Sequence, residues 1–138
     1  GGRRLTGDLF DHGVYVEPTI VTGLPYGHPL VRDELFLPFL AVLPCDDLAA
    51  GIAEGNKVLY GLTAGIYARD QRELDLFFER AEAGVLYANR RSGATTGAWP
   101  GIQTFCGWKG SGVTNKGGLG PFYVPQFMRE QSRTVMTA

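Results

Sequence analysis

The sequence has 138 residues, with 13 Lys and Arg against 14 Asp and Glu and a formal net charge of −1. This length corresponds to one ordinary domain. A composition of 44% hydrophobic and 20% charged residues is typical of a folded protein and excludes a disordered chain. No apolar run approaches the roughly 20 residues of a membrane span and no signal sequence opens the chain, so we expect a cytoplasmic protein that binds no membrane.

The first predicted element is a strand interrupted by a proline. Residues 14–16 and 19–21 are rich in β-branched and aromatic side chains and flank Pro18, which favours an edge strand or a bulge. The polar, glycine-rich residues 1–13 predict a connection without a core of its own. Residues 24–29 are rich in turn formers and predict a loop.

An alternation of strands and helices follows. The apolar run at residues 37–43 predicts a strand buried on both faces. Asp46 or Asp47 then caps a short predicted helix that ends at Ala53. Residues 62–68 predict a second strand.

The next helix has the clearest pattern. Asp70 and Glu73, three positions apart, are typical of a capping box. Four apolar residues follow at helical spacing and predict one stripe that faces a sheet. They are Leu74, Phe77, Phe78 and Ala81. Gly84 is expected to end this helix, and residues 85–88 predict a third strand.

This order predicts an α/β protein with a parallel sheet, flanking helices and right-handed crossovers. Ligands of open parallel sheets bind beyond the carboxyl ends of the strands. The third strand ends at Asn89, so the glycine-rich residues 90–120 are the first candidate for a functional loop. The tail, residues 130–137, alternates loosely and predicts a strand that pairs with another chain.

The glycine-rich segment has the composition of a small-ligand site. Its glycines allow close backbone approach and an N–H nest for an anion, while Trp99, Phe105 and Trp108 supply apolar walls. Its spacing fits neither a Walker loop nor a GxGxxG fingerprint, and a long surface loop is the alternative. Residues 90–138 hold six basic residues and one acid, a net charge of +5. This suits a solvated face or an anion site, and nucleic acid is disfavoured because no recognition motif accompanies the charge.

Titratable side chains of catalytic type are sparse. Cys45 and Cys106 lie 61 positions apart without a CxxC motif, which argues against a disulfide scaffold and a cysteine-rich zinc site. We expect Cys45 to be a small core residue and Cys106 to be a poor nucleophile candidate. His12 and His28 have no partner at ligand spacing, so no metal site is predicted.

Five short segments, in order, resemble the C-terminal part of aldehyde dehydrogenases. They are GVYVEPT at 13–19, ELFLP at 34–38, NKVLYGL at 56–62, AGVLYAN at 83–89 and FCGWKGSG at 105–112. Each is weak alone, whereas five at sensible spacing are specific. Leu37 stands where the family has a glycine, and Thr104 and Cys106 also depart from its pattern. The resemblance implies that residues 1–129 form the C-terminal part of the family's catalytic domain and residues 130–138 an oligomerisation tail.

The resemblance also implies a reaction: a cysteine attacks an aldehyde, hydride passes to NAD, and water activated by a glutamate hydrolyses the thioester. Glu34 would hold the nicotinamide ribose hydroxyls, and Phe36 would pack beside that ribose. The family's nucleophile and base belong to upstream segments, so we expect no catalytic residue here and an inactive isolated chain. NADP stays open, because the residues that read the ribose 2′-position also lie upstream.

A narrower resemblance is to pyrroline-5-carboxylate dehydrogenases. It is carried by Asn89-Arg90, Thr96-Gly97-Ala98, Gly101, Gln103, Phe105, Ser111-Gly112, Asn115 and Gly118. It implies oxidation of L-glutamate γ-semialdehyde in proline catabolism, with the α-carboxylate on the backbone N–H groups of Gly97 and Ala98 and the stem against Phe105. Other semialdehydes are the alternative substrates. A non-catalytic assembly module and a nucleotide-only binding protein are the alternatives from other classes.

Overall fold

The computed structural model describes residues 3–91, 103–112 and 116–137. The chain divides into two compact units, Gly1–Leu59 and Tyr60–Ala138. Within the described ranges, no helix combines the length and the apolar character needed to cross a bilayer.

The first unit is built on two parallel strands. Strand β1 (Thr19–Thr22) pairs with β2 (Phe39–Val42), and all four residues of each strand have a partner in this register. Helix α1 (Pro29–Arg32) lies between the two strands in sequence, and α2 (Leu48–Asn56) follows β2. The local sequence does not predict that β1 pairs in parallel with β2, because the link between the two strands contains only a single helical turn and not a longer helix.

Side-chain caps define where the helices of this unit begin. At the start of α1, Nδ1 of His28 accepts a hydrogen bond from the Leu30 amide at 3.1 Å, within the segment predicted as a loop. At the start of α2, a carboxylate oxygen of Asp47 accepts from the Ala50 amide at 2.7 Å. The short helix predicted after Asp46 or Asp47 is therefore confirmed, with Asp47 as its cap, but it ends at Asn56 and not at Ala53.

Strand β2 is less buried than its apolar sequence predicts. Its side chains alternate between half-buried and exposed, with Leu40 55% and Val42 48% exposed. The prediction of a strand buried on both faces is wrong for this chain, because in the described residues nothing covers the face that these two side chains share. Cys45, predicted as a core residue, lies just beyond this strand and is exposed.

The second unit contains the predicted second and third strands. Strands β4 (Thr63–Ile66) and β5 (Val85–Ala88) pair in parallel, and helix α3 (Gln71–Arg80) connects them in sequence. A further antiparallel pair joins β3 (Tyr60–Gly61) to β6 (Trp108–Lys109). This confirms an α/β fold with parallel strands.

The described strands form three two-stranded sheets. A single parallel sheet through residues 37–43, 62–68 and 85–88 was expected, and this part of the prediction is wrong. The reason is that β2 takes its hydrogen-bond partner from β1, earlier in the chain, and the strand–helix alternation does not encode that choice.

Helix α3 carries most of its apolar surface on one side. Asp70 caps the helix, since its carboxylate accepts from the Arg72 amide at 2.9 Å. Phe77 is 6% exposed and belongs to the core of this unit, but Phe78 is 48% exposed, so the buried stripe is narrower than predicted. Among the described residues of this unit, the buried side chains are Ile66, Phe77, Ala81, Ala83 and Val85.

The helix also ends earlier than predicted. Its last residue is Arg80, four positions before Gly84, because Ala81 adopts an extended conformation. Ala81 and Ala83 are both buried, so leaving the helix places these small side chains in the core directly before β5. The same extended segment brings Gly84 against a later part of the chain.

A short 3-10 helix, Pro125–Phe127, precedes the tail. Residues 129–137 carry no strand in the structure, and Val135 and Met136 are 86% and 87% exposed. An intersubunit strand makes its hydrogen bonds with another chain, so the oligomerisation tail stays a prediction. The boundary predicted between residues 129 and 130 also stays a prediction.

Candidate functional site

Two predicted cofactor residues, Glu34 and Phe36, lie in the link between α1 and β2. The link is held at both ends by backbone hydrogen bonds. At one end, the Asp33 amide donates to the carbonyl oxygen of Pro29 at 2.8 Å. At the other end, the Thr19 amide of β1 donates to the carbonyl oxygen of Pro38 at 3.0 Å. The segment is therefore fixed at the amino end of β2, whereas the general rule for parallel sheets points to carboxyl ends.

Glu34 presents its carboxylate to solvent. No hydrogen bond or ion pair joins this carboxylate to another described residue. A carboxylate accepts hydrogen bonds at both oxygens, and charged acceptors make the stronger bonds. Glu34 is thus equipped to accept hydrogen bonds from a pair of hydroxyl groups on a ligand.

Phe36 has an unusual backbone and an exposed ring. Its φ is +53° and its side chain is 93% exposed. A positive φ is costly for a bulky side chain, and such residues cluster at ligand sites, where the surrounding structure holds them. The positive φ falls on Phe36 itself and not on Leu37, which occupies the position of the family's glycine.

An open pocket adjoins this link. Its volume is about 290 Å³. Its lining residues are Leu30, Val31, Asp33, Leu35, Phe36, Leu37, Phe39, Ala41 and Leu43. Phe36 therefore lines this open pocket, and Glu34 lies two residues earlier in the chain.

Phe105, the predicted wall for the substrate stem, lies in the second unit and is half-buried. Its backbone forms an isolated antiparallel bridge with Gly118. The Phe105 amide donates to the Gly118 carbonyl at 2.9 Å, and the Gly118 amide donates back at 2.8 Å. The sequence motifs include both residues, but nothing in the sequence predicted that their backbones pair.

The segment after Phe105 is attached to the β3 edge and to the start of β5. The Cys106 thiol donates to the Gly84 carbonyl at 2.9 Å. Further along, the Gly61 amide donates to Oγ of Ser111 at 3.0 Å. Cys106 therefore has a structural contact with the backbone, consistent with the expectation that it is a poor nucleophile candidate.

The chain leaves β5 through Asn89, the residue at which the sequence predicted the end of the third strand. Asn89 has a φ of +52°. Its side-chain oxygen accepts from the Ala68 amide at 3.0 Å, and its side-chain nitrogen donates to the Ala68 carbonyl at 2.9 Å. The only signal in sequence was the residue type, since Asn tolerates a left-handed backbone better than most residues.

The predicted carboxylate-binding residues, Gly97 and Ala98, lie outside the described residues. Glu34 and Phe36 belong to the first unit and share one link, whereas Phe105 belongs to the second unit. In the part of the chain that the structure describes, no group of three His, Cys, Asp or Glu side chains is arranged to hold a metal ion.

Solved structures similar to this chain include two with the same enzyme name and a proline utilization protein. A 1-pyrroline-5-carboxylate dehydrogenase is 34% identical with a TM-score of 0.77, covering 91% of this chain and 23% of its own. The enzyme of that name from Thermus, with bound NAD, is 34% identical with a TM-score of 0.76 and the same coverage. Proline utilization A from Bdellovibrio bacteriovorus is 32% identical with a TM-score of 0.75, covering 85% of this chain and 12% of its own.

The chain spans less than a quarter of the length of these structures. The sequence pattern that defines the aldehyde dehydrogenase family matches residues 1–132, which is nearly the whole chain. The five motifs and the two-unit α/β structure agree with this match. The chain belongs to the aldehyde dehydrogenase family.

Proposed function

We propose that this chain is the C-terminal part of an NAD-dependent dehydrogenase that oxidises L-glutamate γ-semialdehyde to L-glutamate. The observation that carries the proposal is the likeness to a 1-pyrroline-5-carboxylate dehydrogenase at 34% identity over 91% of this chain. The residues quoted between Asn89 and Gly118 support the same substrate. The chain spans 23% of that structure, so the activity belongs to a longer protein.

The residues at the α1–β2 link fit a dinucleotide. The Glu34 carboxylate, exposed and without a described partner, suits the two hydroxyl groups of the nicotinamide ribose. The Phe36 ring, which is 93% exposed and lines an open pocket, offers a flat surface against the same ribose. When bound, NAD supplies the acceptor for the hydride that leaves the substrate carbon. The role of Glu34 and Phe36 is to orient that acceptor.

The substrate residues lie in the second unit. In this proposal the N–H groups of Gly97 and Ala98 hold the α-carboxylate, and Phe105 packs against the aliphatic stem. The two hydrogen bonds between Phe105 and Gly118 support this role, because they fix the backbone from which the ring projects. A buried donor left without its partner costs about 1–3 kcal/mol, so aldehydes without the carboxylate are disfavoured.

The exposed tail fits an assembly role. Residues 130–137 act as a strand exchanged with another subunit. The nearly full exposure of Val135 and Met136 supports this role, because covering apolar side chains with a partner is favourable. The longer protein is then a homo-oligomer.

The test is a comparison of two substrates with the full-length enzyme. We expect kcat/KM for L-glutamate γ-semialdehyde to exceed that for pentanal, and Gly97→Val to reduce only the former, because a side chain blocks the close approach of a carboxylate. Gly55→Ala is a matched control, since a Cβ at Gly55 meets no atom within 4 Å. Equal kcat/KM for the two aldehydes, or equal losses on Gly97→Val, would overturn the assignment and favour another semialdehyde or a general aldehyde substrate.

A further inference from the structure

An ion pair joins helix α1 to helix α2 close to the proposed cofactor residues. One nitrogen of the Arg32 guanidinium donates to the Glu54 carboxylate at 2.8 Å, and another donates to the Glu54 backbone carbonyl at 3.1 Å. Both side chains are only 23% exposed, so water screens this pair less than a fully exposed one. A planar guanidinium that binds two acceptors fixes direction as well as distance. The end of α1 therefore has a defined position on α2.

This ion pair lies directly before the link that carries Glu34 and Phe36. Arg32 is the last residue of α1, so Glu34 lies two positions further along the chain. The intervening Asp33 amide donates to the Pro29 carbonyl at 2.8 Å, which closes the last turn of α1. A connection of one residue spans only a few ångströms. A displacement of the end of α1 therefore displaces the backbone of Glu34 as well.

Helix α1 borders two open pockets. The first, of about 290 Å³, is the one that Phe36 lines. The second has a volume of about 230 Å³, and its lining includes both Arg32 and Glu54. Val31 and Leu43 line both pockets. The single turn of α1 thus contributes to the proposed cofactor surface and to the contact with α2, so the hold of α2 on α1 also shapes the pocket beside Phe36.

We propose that Arg32 is a positioning residue for the cofactor. By bonding to Glu54 it holds the end of α1 on α2, and so sets where the Glu34 carboxylate meets the ribose hydroxyls of NAD. This inference rests on the proposed function, because it takes the ribose contact of Glu34 as given. It adds a residue that acts through Glu34 and does not touch NAD.

Arg32→Met removes the ion pair and leaves its surroundings paired. Methionine keeps an unbranched apolar stem in the same space. Both acceptors on Glu54 retain a partner, since the Lys57 amine donates to the carboxylate at 2.5 Å and the Lys57 amide donates to the carbonyl at 3.2 Å. The substitution therefore strands no charge, and the expected consequence is a more mobile end of α1.

Two further variants define what the guanidinium contributes. Lys57→Met is the matched control, because it removes the other ion pair of the same carboxylate, and that pair lies within α2 and its C-terminal cap. Arg32→Lys keeps the charge and a bond to the carboxylate, but an ammonium lacks the fork that holds two acceptors in fixed directions. We expect its effects to be intermediate.

Single-turnover hydride transfer in the full-length enzyme, at saturating NAD, is the first readout. Arg32→Met is expected to slow this step about tenfold, because small displacements of a positioning group are costly, and Lys57→Met to slow it less than about twofold. In the Glu34→Ala background, Arg32→Met is expected to add less than about a twofold loss, because the residue through which it acts is absent.

Hydrogen exchange of the Asp33 amide is the second readout and requires neither cofactor nor turnover. This amide closes the last turn of α1 on the Pro29 carbonyl. Its exchange in the full-length enzyme is expected to accelerate in Arg32→Met and to stay unchanged in Lys57→Met, because only the former releases α1 from α2. Unchanged exchange in Arg32→Met would overturn the inference, because the ion pair would then not hold the link.

The kinetic outcomes distinguish this inference from the proposed function. If Glu34→Ala leaves hydride transfer unchanged, the ribose contact is wrong and this inference falls with it. If Glu34→Ala slows the step but Arg32→Met slows it no more than Lys57→Met, only the role of Arg32 is wrong. A full tenfold further loss in the Glu34→Ala background also overturns that role, because it indicates general structural support. Should Arg32→Met not fold, Arg32→Lys takes its place in each comparison.

Discussion

A Cβ placed on Gly84 would lie 2.1 Å from the carbonyl oxygen of Cys106, so the two backbones touch at a position where only glycine fits. The Cys106 thiol donates to the Gly84 carbonyl across the same contact. Gly84 precedes β5, and Cys106 follows Phe105. The contact therefore joins the core of the second unit to the segment that carries the proposed substrate wall.

Gly84→Ala is expected to destabilise the protein by about 1–3 kcal/mol, because a rigid backbone and not a flexible side chain occupies the space of the new methyl group. Urea denaturation measures the loss. Gly55→Ala is the control, since that position lies in α2 with open space around it, where Ala gains up to about 1 kcal/mol over Gly. Equal stability of the two variants would contradict the close contact at Gly84.

Phe36→Gly separates stability from cofactor binding. Glycine relieves a left-handed strain of roughly 1–2 kcal/mol but gives the unfolded chain more freedom, so we expect a net change below about 1 kcal/mol. Loss of the ring should weaken NAD binding to the full-length enzyme about three- to tenfold. Isothermal titration calorimetry measures the affinity, with Phe78→Ala, which removes a half-exposed ring of the other unit, as control. An NAD affinity equal to that of the control would remove Phe36 from the cofactor site.

Glu34→Ala tests the hydrogen bonds to the ribose. Removing a charge-assisted contact costs roughly 1.5–3 kcal/mol, which corresponds to about a ten- to hundredfold slower hydride transfer if the bonds orient the ring. Single-turnover kinetics of the full-length enzyme measures that step. Glu79→Ala removes another exposed carboxylate, on α3, and should leave it unchanged. A hydride-transfer rate at the level of this control would exclude Glu34 from the role.

The isolated 138-residue chain is expected not to oxidise aldehydes. The resemblance to the family implies that its nucleophile lies upstream of this chain, and the Cys106 thiol donates to a backbone carbonyl. Absorbance of NADH during incubation of the purified chain with NAD and L-glutamate γ-semialdehyde measures the activity. Reproducible NAD reduction that is lost in Cys106→Ser would show that a nucleophile had been overlooked.

The pH dependence of stability provides a test in the first unit. Hydrogen bonds from Lys57 and then from Arg32 lower the pKa of the Glu54 carboxyl below its usual value of 4.5. The Arg32 guanidinium lies 2.8 Å from the Glu54 carboxylate and connects α1 with α2. A lowered pKa in the folded state means that ionised Glu54 contributes stability above pH 4.5, and that the contribution is lost as the pH falls through the folded value.

Glu54→Gln should therefore be less stable than the unmodified chain at pH 7, with the difference shrinking toward zero in acid below pH 4.5. Thermal unfolding from pH 3 to pH 7 measures it. Glu73→Gln is the control, because Glu73 is exposed and lies in the other unit. A difference that is constant across this range would show that Glu54 acts through packing and not through its charge.

The sequence by itself predicted those helices and strands that depend on interactions between residues close together in the chain. Asp47 and Asp70 cap helices because a carboxylate oxygen of each accepts a hydrogen bond from a backbone amide in the first turn. Residue type and position before the helix are enough to predict such a cap. The parallel strands β4 and β5 follow from the strand–helix–strand order and the short links between them. The five ordered motifs likewise identified the family and named Glu34, Phe36 and Phe105.

Only the tertiary structure decided the features that depend on residues far apart in the chain. Phe105 forms a bridge with Gly118, 13 residues later. The hydroxyl of Ser111 accepts from the Gly61 amide, 50 residues earlier, and the Asn89 side chain bonds to the Ala68 backbone, 21 residues earlier. The exposure of Leu40 could not be predicted from the sequence either, because an apolar residue type does not indicate whether another part of the protein covers its side chain. Such contacts follow from how the backbone brings distant segments together, which no local propensity encodes.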